Sequence, residues 1–282
     1  MTDVLTADPP GPYSERCANC GAVLHGKFCA ACGQADKPLD PPVRHFIGEF
    51  AQELFDVDSR VLRSFRRLLL SPGFLTREHV EGRRVPWLSP LKLYLLASVA
   101  AFAVLAFAGD DAGLKIAVMP SAKEEAVDPS WTQQLGYATP EDLGAALSAA
   151  RAVWIPRVMF VLVPLFAWLI ARVRRGARRH YPSHLVFALH VHAAVFAVRA
   201  AMTAVSLALP ASTSRWLDAV VSVYAIGYAY LATRSVYGGT RLRAVRDLMI
   251  VGILYWLALV VGAAAAVLSA VVGRAWLAWV GL

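Results

Sequence analysis

Four cysteines and three closely placed histidines are the side chains here whose types and spacing could support metal or proton chemistry. The cysteines all fall in CANCGAVLHGKFCAACG, as Cys17-x-x-Cys20 and Cys29-x-x-Cys32. Glycine follows each pair, at Gly21 and Gly33, and a residue without Cβ lets the chain turn back so that its amides can face thiolate sulfur. Four thiolates at this spacing can close a tetrahedral site, so one structural Zn2+ is expected on Cys17, Cys20, Cys29 and Cys32. The link between the pairs is short, and such a double knuckle folds only around its metal. A disulfide pairing competes, but the segment precedes every apolar run and is expected to face a reducing compartment. A redox dithiol fits less well, because a second CxxC follows at once and no βαβ pattern surrounds either pair. His25 is expected in a solvated loop.

The histidines belong to HLVFALHVHAAVFAVRAAMTAVSLAL. At 100° per residue His184, His192, Arg199, Thr203 and Ser206 share one helix face. Ala193, Ala197, Ala201, Ala204 and Ala208 form a second, small-residue face that permits close helix contact. His190 lies on that second face, so the three histidines cannot converge from this helix alone. His184, His190, His192 and Arg199 are therefore a candidate polar site inside the membrane. It would serve as a hydrated path, a binding cavity or, with a metal, a catalytic centre. The plainer reading is polar contact between helices. No HExxH, GxSxG or phosphate-binding glycine loop occurs, which leaves an enzyme without its usual sequence marks.

What must position these residues is a membrane bundle. The chain of 282 residues is 57% hydrophobic and 17% charged, with a mean hydropathy of +0.50, above the roughly half-apolar composition of soluble domains. The formal net charge is +8, and its basic residues flank apolar runs, where they act as orientation signals and lipid contacts. Anionic headgroups rather than nucleic acid are the expected acidic partner. Residues 1–16 carry neither a basic n-region nor an apolar h-region, so no cleavable signal is expected and this segment is expected to be disordered.

After a polar linker over 34–42, apolar residues recur at helical spacing from Val43 to Leu68, which predicts an amphipathic helix within a segment 43–87 that leads to the first span. Its polar face is acidic first and then basic, with Arg60, Arg63, Arg66 and Arg67 nearest the bilayer. These four, with Arg83 and Arg84, are expected to meet lipid headgroups; packing on the protein's own surface or on a second copy is the alternative. The region 88–282 reads as a bundle of about five spans, near 88–108, 152–172, 184–208, 216–236 and 247–272. Arg172–Arg179 and Thr240–Arg246 are basic, whereas the connection 109–151 is acidic. The positive-inside bias then puts the N-terminus in the cytosol, the C-terminus outside, and the protein in a cell inner membrane. Thr139-Pro140-Glu141-Asp142 has the form of a helix start, so the second span is expected to begin as a helix outside the bilayer. The tail after 272, with Trp276 and Trp279, is expected to be an interfacial anchor. Arg199 is too deep to stay unpaired. Its depth and that of Asp218 differ by roughly 10 Å at about 1.5 Å per residue, so Arg157 is the expected partner of Asp218.

Three groups of residues together resemble a bacterial membrane-protein family known only as domain of unknown function 3667. They are CxNCG…FCxxCGQ (Cys17 to Gln34), PG…EGRR…LSPLKLYLL (Pro72 to Leu96) and HLVFALHVHA (His184 to Ala193). The resemblance implies a zinc ribbon joined to several membrane helices, and it implies no activity. The expected fold class is therefore an all-α, polytopic helical membrane protein with an N-terminal four-cysteine zinc knuckle. The leading expectation for function is a non-enzymatic scaffold whose knuckle recruits or positions a cytosolic protein partner. A transporter or lipid-handling protein using the polar face of the third span comes second, and a metalloenzyme using His184, His190 and His192 third. A homo-oligomer is compatible with the small-residue ridges.

Overall fold

A computed structural model describes residues 15–35, 60–108, 139–174, 180–210 and 213–279. The first part of the expected amphipathic helix, the acidic connection up to residue 138 and the basic residues 175–179 lie outside the described residues. Apart from two isolated bridges in the knuckle, the described residues fold as helices and turns. The helices are α1 (Arg60–Leu70), α2 (Phe74–Val80), α3 (Pro90–Ala108), α4 (Pro140–Val173), α5 (Tyr181–Ser206), α6 (Ser214–Tyr237) and α7 (Arg241–Trp279).

Four of these are long and apolar enough to cross a membrane: Pro90–Ala108, Tyr181–Ser206, Arg215–Tyr237 and Arg241–Ala265. The second expected span falls within α4, some of whose side chains lie outside the described residues. The 34 residues of α4 reach about 51 Å, well beyond a hydrocarbon core of about 30 Å. It starts as the sequence suggested. Thr139 Oγ1 accepts from the Asp142 amide, and the Asp142 carboxylate accepts from the Thr139 amide, closing a capping box. At the other end of the chain, the tail after 272 continues as helix as far as Trp279. α7 runs unbroken for 39 residues from Arg241 to Trp279, and it takes the basic Arg241–Arg246 stretch into its first turns because no proline falls within it.

α5 is the centre of the bundle, packed by α3, α4 and α6, while α7 packs mainly on α4. Its inner surface holds Phe187, Ala188, Ala193 and Ala194, all buried. Small side chains there let the neighbouring helices approach closely.

The segment before the first span departs from a helix lying on the membrane surface. α1 and α2 form a helical hairpin whose turn is Ser71–Gly73, and both helices pack against α5. Gly73 has φ 79°, and a Cβ there would stand 2.9 Å from Ser235 Cβ and 3.0 Å from the Ala232 carbonyl oxygen. Only glycine combines that conformation with that approach. The Tyr224 hydroxyl, about 20 Å along α6 from its C-terminal end, donates to the Leu69 carbonyl at 3.3 Å. The tip of the hairpin is therefore inserted between α5 and α6. α1 remains amphipathic in this setting. Ser64 and Leu68 are buried against the bundle, while Arg63, Arg66 and Arg67 are exposed alongside Leu62 and Leu70.

Candidate functional site

The cysteine knuckle is built from two near-identical turns. In the first, the Cys17 amide donates to the Ala22 carbonyl and the Gly21 amide to the Cys17 carbonyl; in the second, Cys29 and Gln34, then Gly33 and Cys29, repeat the pattern. Single antiparallel bridges, Arg16 with Val23 and Phe28 with Ala35, close each turn. Gly21 and Gly33 take φ of 76° and 73°, the left-handed conformation that the sequence assigned to them. The four sulfurs lie within 4.8 Å of one another. Cys17 and Cys32 are 3.6 Å apart, and Cys20 and Cys29 3.5 Å. A tetrahedron with metal–sulfur bonds of about 2.3 Å has edges of roughly 3.8 Å, whereas a disulfide needs about 2.05 Å. The residues fit a metal ion held by four thiolates.

Gln34, the last residue of the second turn, fixes the knuckle to the membrane part of the chain. Its side-chain amide donates to the Gly82 carbonyl at 2.8 Å and accepts from the Arg84 amide at 3.3 Å. Those two backbone groups belong to the turn between α2 and α3. Arg83 lies in the same turn and pairs with both Glu78 and Glu81. Hydrogen-bonded to Arg83, the Glu78 carboxyl is held below the usual carboxylate range. Arg84 donates to the His79 carbonyl. Arg83 and Arg84, expected at lipid headgroups, are thus committed to protein groups, because the turn at Gly82 (φ 86°) folds them back over α2. Arg60, Arg63, Arg66 and Arg67 all lie in α1, and Arg67 also stacks over the Phe74 ring at 5.1 Å.

From that turn α2 leads into the bundle. Thr76 is buried, and its hydroxyl meets His190 Nδ1 at 2.9 Å. His190 therefore joins the hairpin to α5. The other two histidines go elsewhere. His184 Nδ1 meets the Tyr237 hydroxyl at 2.8 Å, and His192 lies between the Ala188 carbonyl and the Tyr255 hydroxyl, 2.8 Å from each. Three histidines thus bind three different neighbours. They do not share a ligand point, and the described His, Cys, Asp and Glu residues form no metal-sized cluster besides the knuckle.

Near the same end of the bundle sits a charge pair that sequence reasoning missed. Arg174 Nε and Asp247 Oδ2 lie 2.7 Å apart, with side chains only 3% and 0% exposed. Arg174 also donates to the Gly238 carbonyl and stacks over Tyr237, and Arg246 reaches Asp247 from the surface. The signal was a lone carboxylate at the mouth of an apolar run, hidden by the basic residues before it.

Arg199 pairs with Asp218, so the partner of Asp218 is Arg199 rather than Arg157. The physical reason lies in the helix ends. α5 stops at Ser206 and α6 starts at Ser214, which leaves the two side chains about 4.5 Å apart along the axis, within reach of an extended arginine. This pair borders a cleft of about 220 Å³ whose apolar wall includes Phe102, Leu105, Val195 and Phe196.

The fold and the cluster define the class: an all-α multi-pass membrane protein with an N-terminal set of four metal-compatible cysteines. Residues 58–102 match the family model described as "Protein of unknown function (DUF3667)", so the resemblance drawn from sequence holds over that segment. The matched residues comprise the α1–α2 hairpin, the turn that Gln34 grips, and most of α3. No curated protein and no solved structure matches the chain.

Proposed function

We propose that this chain is a non-enzymatic membrane scaffold whose zinc-loaded knuckle is a docking head held at the cytosolic mouth of the bundle. The observation that carries this reading is the Gln34 clasp on Gly82 and Arg84. A knuckle on a free tether would need no such grip; one that must present a surface at a fixed place does. Phe28 is 67% exposed and Val23 51% exposed on the knuckle, and aromatic side chains are enriched where proteins meet partners.

The chain lies in an inner membrane with the knuckle in the cytosol and the C-terminus outside. Arg172, Arg174, Arg241, Arg243 and Arg246 all sit at the knuckle's end of the helices, which supports that orientation by the positive-inside bias. Arg60, Arg63, Arg66 and Arg67 meet anionic headgroups there, aided by exposed Leu62 and Leu70. Proximity labelling in cells tests the scaffold. Against wild type, Cys17→Ser/Cys20→Ser and Phe28→Ser should each lose the same set of labelled cytosolic proteins while inserting to the same level. An unchanged set in both variants contradicts the reading.

A further inference from the structure

α3 and α6 both pack on α5 but make little contact with each other, and the gap between them is the cleft bordered by Arg199 and Asp218. We propose that this cleft binds a zwitterionic phospholipid, taken from the leaflet opposite the knuckle. The wall is apolar where it is deepest in the bundle, at Phe102, Val195 and Phe196. Its charged end lies toward Ser206 and Ser214, where α5 ends and α6 begins. Trp216, 75% exposed two residues before Asp218, marks the headgroup level there, as interfacial tryptophans do. An amphiphile in this cleft has its chain inward and its head at the ion pair.

The chemistry of the head follows from the pair. Arg199 is 13% exposed and Asp218 41% exposed, so the cation lies at the back and the carboxylate toward the opening. Together they are neutral. A purely anionic head would have to compete with Asp218 for Arg199, whereas a phosphate joined to an ammonium can meet both charges at once. Phosphate on guanidinium is the stronger of these contacts. A volume of about 220 Å³ is below the roughly 300–1,000 Å³ of sites that enclose a whole drug-sized ligand. It accommodates a short length of one acyl chain beside the ion pair, the remainder of the lipid lying in the bilayer.

The test uses the full chain in vesicles of equal phosphatidylethanolamine and phosphatidylglycerol, with a photoactivatable acyl chain on one lipid at a time. Wild type should crosslink the ethanolamine probe in α3, α5 and α6 in preference to the glycerol probe. Arg199→Gln should reduce that crosslinking at least about tenfold, and Asp218→Asn should remove the preference for ethanolamine while crosslinking persists. Leu105→Trp, at a half-exposed position in the wall, fills the cleft without touching the ion pair and should block both probes. Should Arg199→Gln fail to fold, Leu105→Trp decides. Equal labelling by the two probes in wild type, or unchanged labelling in Leu105→Trp, overturns the proposal.

Discussion

Replacing Gln34 with alanine isolates the clasp from the knuckle itself. The Gln34 main-chain carbonyl accepts from the Cys29 amide at 2.9 Å, and that bond survives truncation at Cβ. What disappears is the pair of side-chain bonds to Gly82 and Arg84, at 2.8 and 3.3 Å. A neutral hydrogen bond contributes about 0.5–1.5 kcal/mol net, and the second of these is long. The clasp is therefore worth about 1–2 kcal/mol, a factor of about 5–30 in the ratio of docked to undocked knuckle. Hydrogen exchange on the full chain in lipid nanodiscs reads this directly, because the Arg84 amide is one of the two groups gripped. Its protection should fall by that factor in Gln34→Ala, while protection in the spans and metal content stay at wild-type levels. Unchanged exchange at Arg84 with the metal retained would refute the reasoning, since the knuckle would then be held by something other than Gln34.

Three further outcomes follow from the buried contacts. Asp247→Asn leaves Arg174 charged and enclosed, and should cost about 3–5 kcal/mol, read as a large drop in the detergent melting temperature; Arg174→Met/Asp247→Leu should recover most of it. Thr76→Val leaves His190 Nδ1 without its hydroxyl and should cost about 1–3 kcal/mol, whereas Thr76→Val/His190→Phe should be milder than the sum of the two single changes. Glu78 is acid-sensitive: its folded pKa is depressed, so its contribution is present above the unfolded carboxylate value and lost as pH falls through the folded one. Wild type should thus lose more stability below about pH 4.5 than Glu78→Gln does, and parallel acid titrations of the two would count against the Glu78–Arg83 pair.

What could be read from sequence alone was whatever is encoded locally. The knuckle's turns follow from Cys-x-x-Cys-Gly, the capping box at Thr139 from four consecutive residues, and the helices from runs of apolar side chains. The separation of His190 was also visible, since a 100° step per residue cannot bring it onto the face of His192; that His184 and His192, on one face, take different partners was not. The contacts that join these parts have no local mark. Gln34 grips backbone carbonyl and amide groups, which any residue supplies, so nothing in the sequence of the turn announces its partner. Thr76 with His190, and Arg174 with Asp247, pair residues far apart in the chain. The amphipathic spacing of the first hairpin helix is the same whether its apolar face meets lipid or α5, so both placements stay open in the sequence and the contacts with α5 decide between them. Arg199 and Asp218 were kept apart by an error of two residues at each of two helix ends, where boundaries are least certain.

Whether the head on this membrane bundle is ordered by metal is decided by metal content per chain in the detergent-purified full chain. Wild type should carry one zinc, and a variant with Cys17, Cys20, Cys29 and Cys32 all changed to serine should carry none while eluting as the same folded species. A wild-type chain free of metal, or a variant that keeps it, would contradict the account.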